Sequence, residues 1–243
     1  MPTMLVVGAT SDIAKATARA FAKAGWGLTL AGRDGARLKD MARDLEVRGG
    51  KPVRVCHFDA LEPASAPKPF EGLDPLPDAL LVAVGLLGDQ DRARSDPDLA
   101  LKINASNYSG LLPLLMEAAD AFEKRGSGTI IGIGSVAGDR GRASNYTYGA
   151  AKAALDAYLS GLRNRLFPKG VRVLTVKPGF VRTPMTEGLE LPEGLTATAG
   201  EVGDKIYKAF LGKKDVLYVK WQWRWIMLAI RSLPEFVFKR TKL

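Results

Sequence analysis

The sequence predicts an α/β protein, a single domain built on a doubly wound parallel sheet of about seven strands. Seven short apolar runs follow one another along the chain, and most are separated by stretches with helical periodicity. Runs such as residues 79–85 are apolar without alternation, which is typical of parallel strands covered by helices on both faces. The 243 residues, 47% of them hydrophobic, are enough for one substantial core. Ligands of such sheets bind at the carboxyl ends of the strands, where we expect the functional residues.

The first strand, turn and helix have the arrangement of a phosphate site. Residues 3–8 form an apolar run that ends at Gly8, and a helical pattern begins near Ile13. The N-terminus of a helix presents unpaired backbone N–H groups and the positive end of the helix dipole to a phosphate. We therefore predict that this turn binds a dinucleotide cofactor through Gly8, Thr10, Ser11, Asp12 and Ile13.

The end of the second strand indicates which cofactor binds. In dinucleotide-binding folds an acid at this point accepts the ribose hydroxyls of NAD, whereas an arginine without an acid leaves room for the 2′-phosphate of NADP. Here residues 26–31 form the apolar run, and Gly32 and Arg33 follow it. We predict NADP(H), with Arg33 against the 2′-phosphate. The alternative is a solvated arginine in front of a helix.

The chemistry is expected between residues 134 and 152. Tyr148 and Lys152 are four residues apart, so on a helix they share one face. An ammonium beside a phenol favours the phenolate, and we expect Lys152 to lower the pKa of Tyr148 so that the phenol acts as a general acid. Ser135 follows the apolar run 129–133, and its hydroxyl is placed to orient a substrate carbonyl at the end of that strand.

Ser135, Tyr148 and Lys152 in this register resemble the active site of the short-chain dehydrogenase/reductase family, and the similarity extends from about Thr3 to Pro184. The resemblance implies a Rossmann-type fold and reversible hydride transfer between NADP(H) and a ketone or secondary alcohol. In that reaction Tyr148 donates the proton, Lys152 also holds the nicotinamide ribose, and Ser135 bonds the carbonyl. Asn104 aligns with the asparagine that completes the family's tetrad and holds a water that relays protons to the lysine.

The resemblance also implies further cofactor contacts at the ends of later strands. They are Asp59, Ala60, Ala83, Val84, Gly85, Pro178, Gly179, Val181 and Thr183, together with Tyr148 and Lys152. The chain departs from the family in its glycine-rich turn, where only Gly8 is kept. Asp12 stands in place of the second glycine, and we expect it to adopt a left-handed conformation or to cap the helix, with its carboxylate towards Lys15.

Two long segments with helical periodicity bear on the expected oligomeric state. Residues 98–124 are predicted as one helix with a kink at Pro113, and residues 146–167 as another. Together they resemble the surface through which family members form dimers, so a homo-oligomer, either dimer or tetramer, is expected. Residues 62–77 contain five prolines and are predicted to form an irregular crossover. Residues 189–195 are predicted to form an apolar lid over the substrate.

The C-terminal residues 219–243 differ in character from the domain formed by residues 1–218. Three of the four tryptophans lie within 221–225. The net charge of the whole chain is +9. The tail contributes one acid and six basic residues, which are Lys220, Arg224, Arg231, Lys239, Arg240 and Lys242. Tryptophan, an apolar helix face and basic residues are typical of an interfacial membrane anchor. The alternative is a helix packed on the domain or in a dimer interface. Nucleic acid is not expected as a partner, because the aromatic residues lie in one apolar run.

We therefore predict an NADPH-dependent reductase of a ketone. The altered turn and the tryptophan-rich tail are similar to reductases of a polyprenylphosphoryl 2-keto-pentose, a lipid-linked keto-sugar. The alternatives are a reductase of a soluble ketone or 3-oxoacyl thioester, and a non-catalytic sensor or scaffold that binds NADP(H). The single cysteine, the absence of a basic leader and the lack of a run of ~20 apolar residues favour a cytoplasmic protein, peripheral at the inner membrane face if the tail binds lipid. A lone histidine makes a metal site unexpected.

Overall fold

A computed structural model describes residues 1–62, 70 and 73–241. Its strands are β1 (Thr3–Val7), β2 (Gly27–Gly32), β3 (Val53–His57), β4 (Ala79–Val82), β5 (Gly128–Ile133), β6 (Val171–Lys177), β7 (Phe180–Arg182), β8 (Thr196–Thr198) and β9 (Val216–Tyr218). Seven of these form one parallel sheet in the order β3-β2-β1-β4-β5-β6-β9, and β7 pairs with β8 in a small parallel ribbon. The doubly wound sheet is thereby confirmed.

The strand order reverses beside β1, which lies between β2 and β4. Val7, the last residue of β1, is opposite Ala31 in β2 and Val82 in β4. The connections after these strands leave in opposite directions and open a crevice above their carboxyl ends. The predicted phosphate turn and the predicted catalytic residues both lie at this edge of the sheet.

The helices are α1 (Asp12–Lys23), α2 (Gly35–Gly49), α3 (Gln90–Ala93), α4 (Pro97–Asn107), α5 (Leu112–Arg125), α6 (Tyr146–Leu166), α7 (Ala199–Leu211), α8 (Gln222–Ser232) and α9 (Glu235–Phe238). Successive side chains of a strand point to opposite faces of the sheet. Met4 and Val6 accordingly join a core cluster with α1, α2 and α7. Leu5 and Val7 join a second cluster with α5 and α6. The sheet therefore has a hydrophobic core on each face.

The long helix expected over residues 98–124 is in fact two helices. The backbone breaks at Tyr108, where φ is −146° and ψ is −74°, and a short 3-10 turn leads into α5. Pro113 lies in the first turn of α5, a position where proline costs no hydrogen bond, so the kink predicted there was wrong. Close packing accompanies the break, since a Cβ on Gly110 would lie 1.8 Å from the carbonyl oxygen of Ala60.

The segment predicted as the fourth strand is shorter than its apolar run. β4 ends at Val82, and residues 83–85 leave the sheet and pass over the turn after β1. Most of the crossover predicted at 62–77 lies outside the described residues.

The C-terminal tail packs against the rest of the domain. β9 completes one edge of the sheet beside β6, and α8 follows it. Trp223 and Met227 on α8 are buried in a small cluster with Val136, whereas Trp221, Trp225 and Leu228 are exposed. The structure thus shows the packed helix, and α8 also has an exposed apolar face on its opposite side; the membrane anchor stays a prediction. Within the described part of the chain, no helix has the length and apolar character needed to cross a membrane.

Candidate active site

Helix α6 brings Tyr148 and Lys152 to the end of β5. Lys152 is buried, with 2% of its surface exposed, and its Nζ donates a hydrogen bond of 2.9 Å to the carbonyl oxygen of Ile133. The same Nζ lies 5.8 Å from the centre of the Tyr148 ring. The lysine therefore runs beneath the tyrosine and connects the helix to the last residue of the strand.

Ser135 faces these two residues from the segment that follows β5. Its hydroxyl accepts a hydrogen bond of 3.1 Å from the N–H of Ala137, and its side chain is hydrogen-bonded to Tyr148. The segment is fixed on both sides of the serine, because Gly134 N–H bonds Val176 and Val136 N–H bonds Pro178. Ser135, Tyr148 and Lys152 thus converge, as their spacing predicted.

The protonation of the pair differs from the sequence-based expectation. Burial raises the pKa of Tyr148 to about 12; the hydrogen bond from Ser135 acts to lower this pKa, and the negative charge of Asp156 adds to the rise. Burial lowers the pKa of Lys152 to about 8, and Asp156 opposes that shift. The expected lowering of the tyrosine pKa by Lys152 is therefore absent, because desolvation of the phenolate dominates and the ammonium is bonded to Ile133.

The asparagine buried beside Lys152 is Asn107, three residues after the predicted Asn104. Asn104 is half-exposed, and its carbonyl oxygen accepts the N–H of Tyr108. Asn107 is fully buried at the end of α4, where the last carbonyl groups of a helix lack helical partners. Its Nδ2 bonds the carbonyl oxygens of Leu86 and Ile103 at 2.7 and 2.8 Å. The sequence does not indicate Asn107, because the break at Tyr108 is not apparent from helical periodicity.

Gly85 separates Asn107 from Lys152. A Cβ on Gly85 would lie 3.0 Å from Asn107 Oδ1 and 3.6 Å from Lys152 Nζ. The segment 83–85 therefore passes close to Lys152, and the absence of a side chain on Gly85 leaves room between Lys152 and Asn107.

The turn after β1 is built for close approach. Gly8 has φ of +75°, and a Cβ there would lie 2.8 Å from the backbone of both Ala83 and Val84. Ser11 caps α1 by accepting the N–H of Ala14 at 3.2 Å. This leaves the N–H groups of Asp12 and Ile13 at the open first turn of the helix. Thr10 completes the turn between Gly8 and the cap.

Asp12 takes a different role from the one predicted. It is the first residue of α1, neither left-handed nor the cap, because Ser11 supplies the capping oxygen. Its carboxylate does point to Lys15, at 3.4 Å. Asp12 also lines a cleft of about 600 Å³ together with Thr183, Pro184 and Leu189. The predicted lid segment and the phosphate turn thus border one cavity.

Arg33 lies exposed at the end of β2. The neighbouring acid Asp34 is occupied, since it caps α2 through the N–H of Arg37 and its Oδ2 is 3.3 Å from the guanidinium of Arg37. A Cβ on Gly32 would meet only Leu38 side-chain atoms, at 3.7 Å or more. This end of the strand therefore presents the guanidinium of Arg33, while Arg37 is paired with Asp34.

The comparisons with known proteins agree with this geometry. Residues 2–194 match the short chain dehydrogenase family. The chain belongs to the short-chain dehydrogenase family. It is 37% identical over 241 residues to an uncharacterized oxidoreductase of Mycobacterium tuberculosis, covering 98% of this chain and 96% of that protein. It is 33% identical over 215 residues to serine 3-dehydrogenase of Agrobacterium fabrum, covering 85% and 80%. A short-chain dehydrogenase from Sphingobium yanoikuyae, solved in complex with NADPH, superposes with a TM-score of 0.80 at 25% identity and 97% coverage of both chains.

The remaining predicted cofactor contacts of this short-chain dehydrogenase line the same edge of the sheet. Asp59 folds back to accept the N–H of Leu61, and Ala60 is buried beside Gly110. Pro178 contacts the serine segment through its carbonyl, and Val181 is buried in β7. These positions follow the carboxyl ends of β3 and β6, and their contacts with a cofactor stay predictions.

Gly179 has a second reason to lack a side chain. A Cβ there would lie 2.0 Å from Nε1 of Trp223 on α8, and that Nε1 donates a hydrogen bond of 3.0 Å to the carbonyl oxygen of Leu195. Phe180 packs edge-on against the same indole, with ring centres 5.4 Å apart. The C-terminal helix therefore supports both the Pro-Gly segment and the predicted lid.

Proposed function

We propose that this short-chain dehydrogenase uses NADPH to reduce a ketone to a secondary alcohol. The observation that carries the proposal is the convergence of Ser135, Tyr148 and Lys152 at the end of β5. Two neighbouring segments of the same crevice, residues 8–13 and 83–85, come within contact distance of each other. The arrangement suits proton transfer to a carbonyl oxygen beside a bound dinucleotide.

The crevice fits NADP(H). Gly8 keeps the backbone of Ala83 and Val84 close to the turn, and the N–H groups of Asp12 and Ile13 offer hydrogen bonds to a pyrophosphate. Arg33 supplies positive charge where a 2′-phosphate would lie, while Asp34 is engaged with Arg37 on α2. When bound, NADPH supplies the hydride.

The residues of the site orient the substrate, donate the proton and stabilise the resulting charge. Ser135 donates a hydrogen bond that orients the substrate carbonyl. Tyr148 holds its proton at neutral pH because burial raises the pKa of the phenol to about 12, and it yields the proton to the alkoxide, which is the stronger base. The Lys152 ammonium stabilises the phenolate that results. Asn107, in place of Asn104, lies beside Lys152 across Gly85 and holds the relay that returns a proton to the lysine.

The test is consumption of NADPH by the purified protein against a panel of aliphatic, sugar-derived and acyl-thioester ketones. A ketone-dependent rate with NADPH, at least ten times the rate with NADH, is the expected result. Tight NADPH binding with no turnover on any member of the panel would instead support the non-catalytic sensor.

We further infer that the substrate carries a hydrocarbon chain, as a lipid-linked keto-sugar does. The support is the position of α8, which packs its inner face against the lid residue Leu195 and the Pro-Gly segment. Its outer face exposes Trp221, Trp225 and Leu228, which are 70%, 59% and 53% accessible. These positions, spaced by four and three residues, lie on one side of a helix.

We propose that the same face makes peripheral contact with an anionic membrane. Tryptophan prefers the headgroup region, and each basic residue near an anionic leaflet contributes about 1 kcal/mol. Arg224 and Arg231 on α8 are exposed, as are Lys239 and Arg240 further along the tail. The contact would place the lid beside a membrane-borne substrate.

A paired set of variants tests the membrane contact without unfolding α8. Trp225→Ser with Leu228→Ser removes apolar surface from the outer face and leaves Trp223 and Met227 buried. The matched control, Val47→Ser with Leu211→Ser, removes exposed apolar side chains from α2 and α7. Co-sedimentation with vesicles containing phosphatidylglycerol should fall severalfold in the first pair and stay unchanged in the control. Equal binding by both pairs would reject the contact.

A small soluble carbonyl compound is the second candidate substrate. It is favoured by the relatives, which include a serine 3-dehydrogenase and a sulfoacetaldehyde reductase that is 34% identical over 191 residues. This candidate predicts full turnover of water-soluble ketones by the Trp225→Ser, Leu228→Ser variant. The lipid-linked candidate predicts turnover that depends on vesicles and on the outer face of α8.

A homo-oligomer is proposed from the family resemblance of the α4, α5 and α6 surface. Exposed apolar residues on this surface, such as Met116, support the proposal. Light scattering at micromolar concentration should give a dimer or tetramer, and a monomer would contradict it.

A further inference from the structure

A buried ionic cluster lies behind the catalytic lysine. Lys177, at the end of β6, places its Nζ 2.5 Å from Asp139 Oδ1 and 2.9 Å from Asp156 Oδ2. The side chains of Asp139, Asp156 and Lys177 are 2%, 11% and 13% exposed. Tyr218 on β9 donates a hydrogen bond of 2.8 Å to the other oxygen of Asp139. The proposed reaction gives none of these groups a direct role.

Asp156 is aligned with the catalytic residues. Tyr148, Lys152 and Asp156 are each four residues apart on α6, so they lie on one side of the helix. The carboxylate presses against the segment that carries Ser135, since a Cβ on Gly134 would lie 2.1 Å from Asp156 Oδ1 and one on Gly138 would lie 3.0 Å from Oδ2. Side-chain bulk at either glycine would displace Asp156.

The cluster joins the three segments that build the site. Asp139 belongs to the segment after Ser135, Asp156 to the helix of Tyr148 and Lys152, and Lys177 directly precedes Pro178 and Gly179. Within the described part of the chain, neither carboxylate oxygen of Asp156 has a well-directed hydrogen bond. The negative charge on Asp156 is therefore stabilised by the neighbouring cations.

The charges of this region balance when all four groups are ionised. Lys152 and Lys177 supply two positive charges, and Asp139 and Asp156 two negative charges. A buried ammonium without a nearby anion gives up its proton, because burial penalises the charged form. Asp156 opposes the burial effect on Lys152, and Lys177 opposes it on Asp156. The proton on Lys152 thus depends on a residue to which the proposed reaction gives no direct role.

We propose that Asp156 is a positioning residue that keeps the Lys152 ammonium charged, and that Lys177, itself anchored by Asp139, holds Asp156 in place. The proposal rests on the roles given above to Lys152 and Tyr148. Asp156 faces Tyr148, Lys152 and Arg163 on its own helix, Lys177 on β6, and Asp139 after β5. Tyr218 reaches the cluster through Asp139.

The experiment is an NMR titration of Lys152 Nζ in protein labelled with [ε-15N]lysine, assigned with Lys152→Met. It needs neither substrate nor turnover, so its outcome is separate from that of the proposed reaction. Removing the charge with Asp156→Asn should lower the Lys152 midpoint by about one pH unit. Asp139→Asn removes a charge of the same sign from the same cluster and should shift the midpoint much less. An unchanged midpoint in Asp156→Asn, or equal shifts in both variants, overturns the proposal.

A wild-type measurement guards against a variant that fails to fold. Burial raises the pKa of Asp156 to about 6, so the Nζ signal of Lys152 should show a second inflection at the pH where the 13C signal of the Asp156 carboxyl titrates. Titration of Asp156 with no response at Lys152 also overturns the proposal.

Discussion

Replacing Gly8 with alanine tests whether the turn after β1 and the segment after β4 pack together to form one cofactor-binding site. Gly8 has φ of +75°, a left-handed conformation that costs an L-residue about 1–2 kcal/mol. The new Cβ would also lie 2.8 Å from Ala83 C, Ala83 O and Val84 N. Relieving such contacts in a packed site costs a further ~1–3 kcal/mol. We expect Gly8→Ala to lower the free energy of unfolding by roughly 2–5 kcal/mol.

Two control glycines separate the contributions to this loss. Gly50 has φ of +63° and open space around its Cβ position, so Gly50→Ala carries the conformational cost alone. Gly35 also has open space and lies at the start of α2, so Gly35→Ala should be near neutral. The contacts of the new Cβ should make the loss in the free energy of unfolding ~2 kcal/mol larger in Gly8→Ala than in Gly50→Ala. In calorimetry, the midpoint temperature of Gly8→Ala should therefore lie about 4–8 °C below that of Gly50→Ala. Its affinity for NADPH should fall at least tenfold, while Gly50→Ala keeps wild-type affinity. Equal midpoint temperatures and equal NADPH affinities in Gly8→Ala and Gly50→Ala would refute this packing arrangement.

Three further predictions concern the site and the tail. Because the pKa of Lys152 is lowered to about 8 in the folded protein from 10.5, the unfolded chain binds more protons between these values. The free energy of unfolding of the wild type, relative to Lys152→Met, should therefore rise by about 3 kcal/mol from pH 8 to pH 10.5 in denaturant titrations; a flat difference would contradict the burial of the ammonium. Met227→Ala should cost ~2–5 kcal/mol because the side chain is fully buried, whereas Leu228→Ala next to it should cost under about 0.5 kcal/mol; similar losses by chemical denaturation would mean that α8 is not packed in this orientation. Arg33→Ala should raise the KM for NADPH at least tenfold and leave that for NADH unchanged, and an equal effect on both cofactors in steady-state kinetics would remove Arg33 from the 2′-phosphate site.

Local patterns were sufficient for the sheet and for the proximity of Ser135, Tyr148 and Lys152. Continuous apolar runs are distinctive of strands buried on both faces. The four-residue spacing of Tyr148 and Lys152 survives because α6 is a regular helix across both positions. Ser135 is adjacent to β5, so the end of that strand fixes where it lies.

The errors arose where tertiary structure interrupts a regular pattern. Asn104 was chosen because residues 98–124 have helical periodicity throughout, but the break at Tyr108 leaves Asn107 at the end of α4. Asp12 was expected to replace a glycine, yet the preceding Ser11 supplies the cap and moves Asp12 into the helix. The pKa of Tyr148 depends on burial by the whole fold, which the spacing of Tyr148 and Lys152 does not report.

The ionic cluster could not be predicted from the sequence for a related reason. Asp139, Asp156, Lys177 and Tyr218 are spread over 80 residues and come from four different segments. Only the parallel order of β5, β6 and β9 brings their ends together. Asp156 alone, four residues after Lys152, carried a local signal, and on a helix such spacing is usually a surface ion pair.

Tyr148→Phe provides the most direct measurement of the central claim, that this phenol supplies the proton in an NADPH-dependent ketone reduction. The substitution removes one oxygen and keeps the ring above Lys152. NADPH affinity, measured by fluorescence titration, should stay within about threefold of wild type. Transfer of deuterium from [4-2H]NADPH to the ketone carbon, followed in single turnovers, should fall by a factor of 10² or more, the scale of a lost general acid. Deuterium transfer at the wild-type rate, with NADPH binding intact, would contradict the assignment.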